Sequence, residues 1–131
     1  MPERQRIPSG STYEPVIGFS RAVRVGDRVL VSGTGPIWPD GTVDADPESQ
    51  ATRCLTIILE ALAAAGASAA DVIRTRIYLV DAADWQAVGR AHGAVFGDIR
   101  PAATMVVVAA LLDERWRVEI EAEAIIDGEP S

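Results

Sequence analysis

The chain has 131 residues, 48% of them hydrophobic and 24% charged, and its formal net charge is −7. This length suits a single domain spanning residues 1–131, and this composition belongs to a globular protein, which excludes a disordered chain. The acidic balance argues against nucleic acid and against an anionic membrane as partners, because both attract clustered lysine and arginine.

The chain begins with polar residues, and residues 1–12 are predicted to form a loose arm. No secretory signal is recognisable and no apolar run approaches transmembrane length, so we expect a cytoplasmic protein. One cysteine, Cys54, and one histidine, His92, leave no internal disulfide and too few ligands for a structural zinc site. We therefore expect neither a metal nor a cofactor.

The first predicted elements are strands. Two runs rich in β-branched residues, 20–25 and 28–32, flank Gly26-Asp27, a pattern that predicts a hairpin with a two-residue turn. A glycine-rich break follows the second run, and Thr42-Val43 is predicted to add a short third strand.

The next signals predict two helices separated by a strand. Asp46-Pro47 is a helix start, apolar residues then recur at helical spacing, and Gly66 ends a helix predicted over 47–65. Residues 73–80 alternate, with Ile73 on the apolar face, and predict a half-buried strand. Asp81 caps a second helix predicted over 82–96.

Two final strands are predicted over 102–111 and 116–126, which completes the order β-β-β-α-β-α-β-β. This order predicts an α+β fold in which two helices cover one face of a mixed sheet. Residues 105–112 are apolar without interruption, as in strands that are buried on both faces. Because two helices cover only one face, the pattern predicts a homo-oligomer.

Several side chains allow both a structural and a functional interpretation. Glu119, Glu121 and Glu123 share one strand face, where they either form an ion-pair lattice with Arg74 and Arg76 or include a general acid/base. His92 and Cys54 are interpreted as packed residues, and Trp38 as the tryptophan nearest to a ligand.

Two segments carry a resemblance to a known family. Arg100-Pro101-Ala102-Ala103 followed by Glu119-Ile120-Glu121, and Val31-Ser32-Gly33-Thr34-Gly35-Pro36 after the hairpin, resemble the Rid family of RidA/YjgF-like imine deaminases, also called L-PSP endoribonucleases. The resemblance spans residues 19–126. It implies a chorismate-mutase-like fold and a homotrimer with sheets inside, helices outside, and small-molecule clefts between subunits.

The resemblance also implies the residues of the cleft. Glu119 matches a glutamate proposed to position the attacking water, and is the implied catalytic residue. Ala103 stands where deaminating members carry an arginine that holds the substrate carboxylate. The implied substrate-binding residues are the matched positions and their neighbours: Phe19, Ser32, Gly33, Thr34, Ala103 and Thr104. Arg21, Arg24, Arg74 and Arg76 are candidates to replace the missing cation, and the sequence does not choose between them.

The sequence is compatible with three candidate functions. The first is hydrolysis of a C=N bond in a small reactive imine or enamine, with 2-imino acid deamination weak or absent because Ala103 lacks the guanidinium. The second is a non-catalytic ligand-binding or regulatory trimer. The third is RNA cleavage, which the acidic charge and the lack of a histidine pair make the least favoured.

Overall fold

The computed structural model describes residues 3–127, which form a six-stranded mixed sheet with helices packed on one face. The strands are β1 (Arg4–Ile7), β2 (Ala22–Val25), β3 (Arg28–Thr34), β4 (Val72–Leu79), β5 (Ala102–Val107) and β6 (Val118–Ile125). The helices are the single turn α1 (Glu14–Ile17), α2 (Pro47–Ala64) and α3 (Trp85–Phe96). The strand order is β1-β2-β3-β6-β4-β5, with β4 and β5 parallel and the other neighbours antiparallel. The predicted α+β class is confirmed.

The hairpin prediction is confirmed, and the third-strand prediction is wrong. Gly26 adopts a φ of 61° in the turn between β2 and β3. Thr42-Val43 contributes one isolated bridge, whereas the segment predicted to be a loose arm supplies β1, which pairs with β2. Because β1 is an exposed edge strand, its side chains need no apolar alternation, and the sequence gives no periodic signal. Residues 1 and 2 lie outside the described residues.

Both long helices were predicted from their ends. The Asp46 carboxylate accepts a hydrogen bond from Ser49 N at 2.9 Å, and Gly66 has a φ of 87° just past the end of α2. Arg24 Nη1 donates to Ala65 O at 2.7 Å, which satisfies a terminal carbonyl of α2. The segment predicted to begin the second helix is a 3-10 turn at Ala82–Asp84, and α3 begins at Trp85. Within residues 3–127, no helix has both the length and the apolar character needed to cross a membrane.

The core lies between the helices and one face of the sheet. It is formed by buried apolar side chains of α2, α3 and the central strands, among them Leu55, Ile58, Leu62, Val88, Phe96, Val29, Ile77 and Ile120. The predicted inward position of Ile73 is wrong. A register shift between β4 and β6 buries Val72 and leaves Ile73 exposed.

The apolar run near the C-terminus is shorter as a strand than predicted. β5 ends at Val107, and β6 begins only at Val118. In the single chain β5 is an edge strand, so that Val107 is 53% exposed and Leu112, in the following loop, is 69% exposed. These side chains leave an apolar surface without cover from the described part of the chain.

One buried polar side chain fixes the segment that leads into β6. Gln50, 1% exposed on α2, donates from Nε2 to Asp44 O at 2.8 Å and to Arg115 O at 3.0 Å. Its Oε1 accepts from Arg117 N at 2.7 Å. The Arg117 guanidinium then makes two hydrogen bonds to the Asp84 carboxylate, at 3.0 and 2.9 Å. α2 and the turn before α3 thereby hold the start of β6.

We expect Gln50→Leu to lower the free energy of unfolding by about 2–4 kcal/mol, because three backbone groups lose their partner in a buried site. Urea denaturation measures this change. The matched control is Gln86→Leu, on the exposed side of α3, with an expected change within about 0.5 kcal/mol. Equal effects of the two substitutions would contradict the role of Gln50.

Candidate functional site

A cleft of about 850 Å³ lies between the segment 7–19, the end of β3 with its following loop, and α2. Its wall includes Phe19, Arg21, Ser32, Gly33 and Glu119. Trp38, which the sequence suggested as a ligand contact, also lines the cleft. Its ring is stacked under the Arg53 guanidinium at 4.2 Å.

A β-bulge in β3 determines which side chains face the cleft. Val31 pairs with Ala122, but Thr34 pairs with Ile120, so β3 has one more residue than β6 over this interval. Both Val31 and Thr34 therefore point into the core, where they are buried. Ser32 and Gly33, between them, both border the cleft.

The two hydroxyl groups of this segment are occupied by backbone partners. Ser32 Oγ donates to Ser20 O at 2.6 Å, and Thr34 Oγ1 donates to Ser32 O at 2.8 Å. Ser32 thus borders the cleft, but its hydroxyl proton is used in the hydrogen bond to the Ser20 carbonyl. Thr34 is fully buried and absent from the cleft wall, so its side chain supports the site from behind.

Glu119 lies directly over the β3 backbone. A β-carbon at Gly33 would meet Glu119 Oε2, so a larger residue at this position would displace the carboxyl group from its place against the β3 backbone. The carboxyl group is half-buried, and this burial raises the pKa of Glu119 above 4.5. The Arg21 charge opposes that rise and the Glu121 charge adds to it. Such a raised pKa increases the proton affinity of the carboxyl group, which suits it to general acid–base chemistry.

Arg21 is the cation beside this carboxyl group. Its Nη1 donates to Thr34 Oγ1 at 2.8 Å and to Gly33 O at 3.2 Å. Arg21 and Glu119 interact electrostatically, but among residues 3–127 they form no direct ion pair. The sequence named Arg21 only as one of four candidates, because its proximity to Glu119 depends on the pairing of β2, β3 and β6.

The other three arginines have different positions. Arg24 caps α2, and Arg76 Nη1 donates to Glu123 Oε1 at 3.1 Å on the sheet face opposite the helices. Arg74 does not line the cleft, and its Nε is buried without a partner in the described part of the chain. Of the four candidates, Arg21 is therefore the one whose side chain borders the cleft.

Ala103 and Thr104 do not reach the cleft within one chain. Both lie on β5, which is separated from β6 and Glu119 by β4. Both are exposed. The site implied by the resemblance thus falls into two parts on opposite sides of β4, and a common cleft would need a second subunit.

The ion-pair interpretation of the other two glutamates is confirmed for Arg76, which lies 3.9 Å from Glu121 and 3.1 Å from Glu123, but Arg74 forms no such pair within residues 3–127. Glu121 accepts a hydrogen bond from the Tyr78 hydroxyl, and this bond raises the pKa of Tyr78. Glu123 pairs with Arg76 at 3.1 Å and with Arg28 at 3.9 Å. Glu119 differs from both, because no such direct partner is recorded for it within residues 3–127.

The packed-residue interpretation of His92 and Cys54 is also confirmed. His92 Nε2 lies 2.9 Å from Thr75 Oγ1, its ring contacts Phe96, and burial lowers its pKa. Cys54 is fully buried, and this burial raises the pKa of its thiol far above the ordinary value. Within the described residues, no group of three or more His, Cys, Asp or Glu side chains is placed to hold a metal ion.

The electrostatic contact of Arg21 with Glu119 is testable by titration. Because a nearby cation favours the ionised carboxylate, Arg21→Gln should raise the pKa of Glu119 further above 4.5. Carbon-13 NMR of the glutamate carboxyl groups measures this shift. Arg90→Gln, in an exposed pair with Glu48, is the control and should leave Glu119 unchanged. A lower or unchanged pKa in Arg21→Gln would contradict the contact.

This chain is similar to known proteins both in sequence and in structure. The model of the family described as Endoribonuclease L-PSP matches residues 10–126. An uncharacterised protein of Streptomyces coelicolor is 41% identical over 121 residues, which cover 92% of this chain and 90% of that protein. The 2-iminobutanoate/2-iminopropanoate deaminase of Capra hircus is 34% identical over 129 residues, which cover 92% and 90% of the two chains.

The fold agrees with these sequence matches. A crystal structure of a YjgF/YER057c/UK114 family member from Mycobacterium tuberculosis superposes with a TM-score of 0.88 and 44% identity, covering 95% of this chain and 100% of that one. The predicted chorismate-mutase-like fold is thereby confirmed. The sequence match and the shared fold together show that this chain belongs to the endoribonuclease L-PSP family, the RidA/YjgF proteins.

Proposed function

We propose that this protein hydrolyses the C=N bond of a small imine or enamine tautomer in the cleft at Glu119. The observation that carries the proposal is the carboxyl group itself. It is half-buried, has a raised pKa, lacks a direct ion pair among the described residues and faces an open cleft across Gly33. The relative from Capra hircus is a 2-iminobutanoate/2-iminopropanoate deaminase, which is the same reaction class.

The reaction requires one proton acceptor and one proton donor. The Glu119 carboxylate accepts a proton from water as the water oxygen bonds to the imine carbon, and then gives this proton to the imine nitrogen, which leaves Glu119 ionised again. The hydroxyl proton of the resulting carbinolamine is then carried by the same carboxyl group to the nitrogen, so that the C–N bond breaks, the carbonyl forms, and ammonia or an amine leaves. Imine and water are thereby converted to carbonyl compound and amine, with Glu119 returned to its starting state.

The substrate is not held as in the deaminating members that the sequence resembles. Ala103 has no guanidinium, and a charge-assisted pair of hydrogen bonds at that position is worth roughly 1.5–3 kcal/mol per bond. We therefore propose that 2-imino acids positioned only from residue 103 react slowly or not at all. The occupied hydroxyl groups of Ser32 and Thr34 favour the second candidate, a non-catalytic ligand-binding trimer.

A trimer is part of the proposal. The exposed apolar residues on and after β5, together with the uncovered sheet face, support burial against other copies of the chain. Such an assembly would also allow Ala103 and Thr104 of one subunit to complete the cleft of another. The proposed site therefore depends on the proposed assembly.

The two candidate functions differ in the effect of Glu119→Gln. In the hydrolase, the substitution should lower the rate of carbonyl release from freshly generated acidic and neutral imines by about 10²- to 10⁴-fold. Glu48→Gln, on the exposed surface of α2, should keep full activity. If the wild-type protein does not accelerate the reaction of any imine over the uncatalysed rate, hydrolysis is refuted and the non-catalytic ligand-binding function remains.

The proposed assembly depends on β5. Because Val107 is 53% exposed in one chain, Val107→Asp should leave the subunit folded and shift light scattering from the trimer to the monomer mass. Val16→Asp introduces the same charge on α1, where Val16 is 84% exposed, and serves as the control. A monomeric wild type at micromolar concentration would end the trimer proposal.

A further inference from the structure

We propose that Arg21 is the anion-binding residue of the cleft, so that the ligand is a small carboxylic acid held from the β2–β3 side and not from residue 103. This inference rests on the proposed function, because it assigns the substrate class of the same site. It is carried by the geometry of the Arg21 side chain and by the charges around it.

The backbone of Arg21 is fixed on both sides. Its N–H donates to Ile7 O at 2.8 Å, and its carbonyl accepts from Ser32 N at 2.9 Å. The side chain is then held by Nη1, which donates to Gly33 O and to Thr34 Oγ1. Thr34 is fully buried and gives its own proton to Ser32 O, so its oxygen is oriented to accept from Arg21. The guanidinium therefore occupies a set position before any ligand binds.

One edge of that guanidinium is available. Within residues 3–127, the recorded hydrogen bonds of the Arg21 side chain all come from Nη1, and Nε and Nη2 have no partner. These two nitrogens form the planar pair of donors that matches the two oxygens of a carboxylate. Since Arg21 lines the cleft, an acid entering the cleft can meet this pair.

The carboxyl groups near Arg21 leave its charge open to a ligand. Glu14 interacts with it at a distance, but Glu14 Oε1 accepts hydrogen bonds from Ser9 N at 2.8 Å and Ser9 Oγ at 2.9 Å. Glu119 also interacts at a distance, without a direct ion pair in the described part of the chain. A cation and a proton-accepting carboxyl group thus both lie next to Gly33. A small acid can bind one with its carboxylate and present its C=N carbon to the other.

Arg53 is the rival cation, because it also lines the cleft. Its guanidinium is stacked on Trp38 at 4.2 Å, and its Nε donates to Ile37 O at 3.1 Å. Both contacts hold Arg53 against the loop after β3. The Arg21 charge acts on Glu119 and lowers the pKa of that carboxyl group. We therefore assign the anion site to Arg21.

The test uses two unreactive probes of the same shape, pyruvate and its neutral amide, pyruvamide. Calorimetry of the assembled wild-type protein should show tighter binding of pyruvate. In Arg21→Gln, pyruvate should bind roughly 10- to 100-fold more weakly while pyruvamide binding is unchanged, because only the charge-assisted pair is lost. Arg21→Lys should keep part of the preference, since it keeps the charge without the planar pair. Arg90→Gln, outside the cleft, should keep all of it.

Three results would overturn the assignment. They are equal binding of acid and amide by the wild type, an unchanged preference in Arg21→Gln, and loss of the preference in Arg53→Gln instead. The wild-type comparison needs no variant, so a misfolded Arg21→Gln protein does not remove the test. Because binding needs no turnover, pyruvate binding by a protein that fails the imine assay would refute hydrolysis and leave the acid site intact.

Discussion

The pairing of β3 with β6 is the constraint on which the site depends. The bulge between Val31 and Thr34 turns two consecutive residues toward the cleft while both flanking side chains stay in the core. At one of these two positions, glycine lets the Glu119 carboxyl group approach the neighbouring backbone. The same segment offers the carbonyl and the hydroxyl that hold Arg21. Without the bulge, the alternation of the strand would direct Gly33 into the core, and it could not border the cleft beside Glu119.

The two faces of the sheet differ in polarity. The helix side is apolar, and one of its buried polar residues, Gln50, satisfies three backbone groups at once. The opposite side carries several charges, and there Arg76 pairs with Glu121 and Glu123 while the Tyr78 hydroxyl donates to Glu121. Glu119 lies on the same strand but near the bulge, beyond this network. The pKa of Glu119 is raised because its carboxyl group is half-buried at this location.

Local sequence signals predicted most of the fold. Asp46-Pro47, Gly66 and the apolar periodicity of α2 act within one helix, and Gly26-Asp27 acts within one hairpin, so their consequences could be derived from neighbours in the chain. β1 was missed because an exposed edge strand gains little from apolar alternation. Ile73 was misplaced because a register shift is set by the partner strand and leaves no mark in its own sequence.

The candidate site was only partly predictable, for the same reason. The resemblance pointed to Glu119, Ser32 and Gly33, which border one cleft. The importance of Arg21 arises from contacts with β3 and β6, which are distant in sequence, and Ala103 is separated from Glu119 by an entire strand.

Cys54 gives the molecule a property separate from its ligand chemistry. The thiol is fully enclosed under α2, and burial keeps it protonated. Since only an exposed thiolate reacts with alkylating agents, modification requires α2 to lift from the sheet. The rate at which this single cysteine is alkylated therefore reports how often the core opens, and mass spectrometry can measure it without any change to the sequence. A ligand that binds the cleft and stabilises α2 against the sheet would lower the alkylation rate of Cys54.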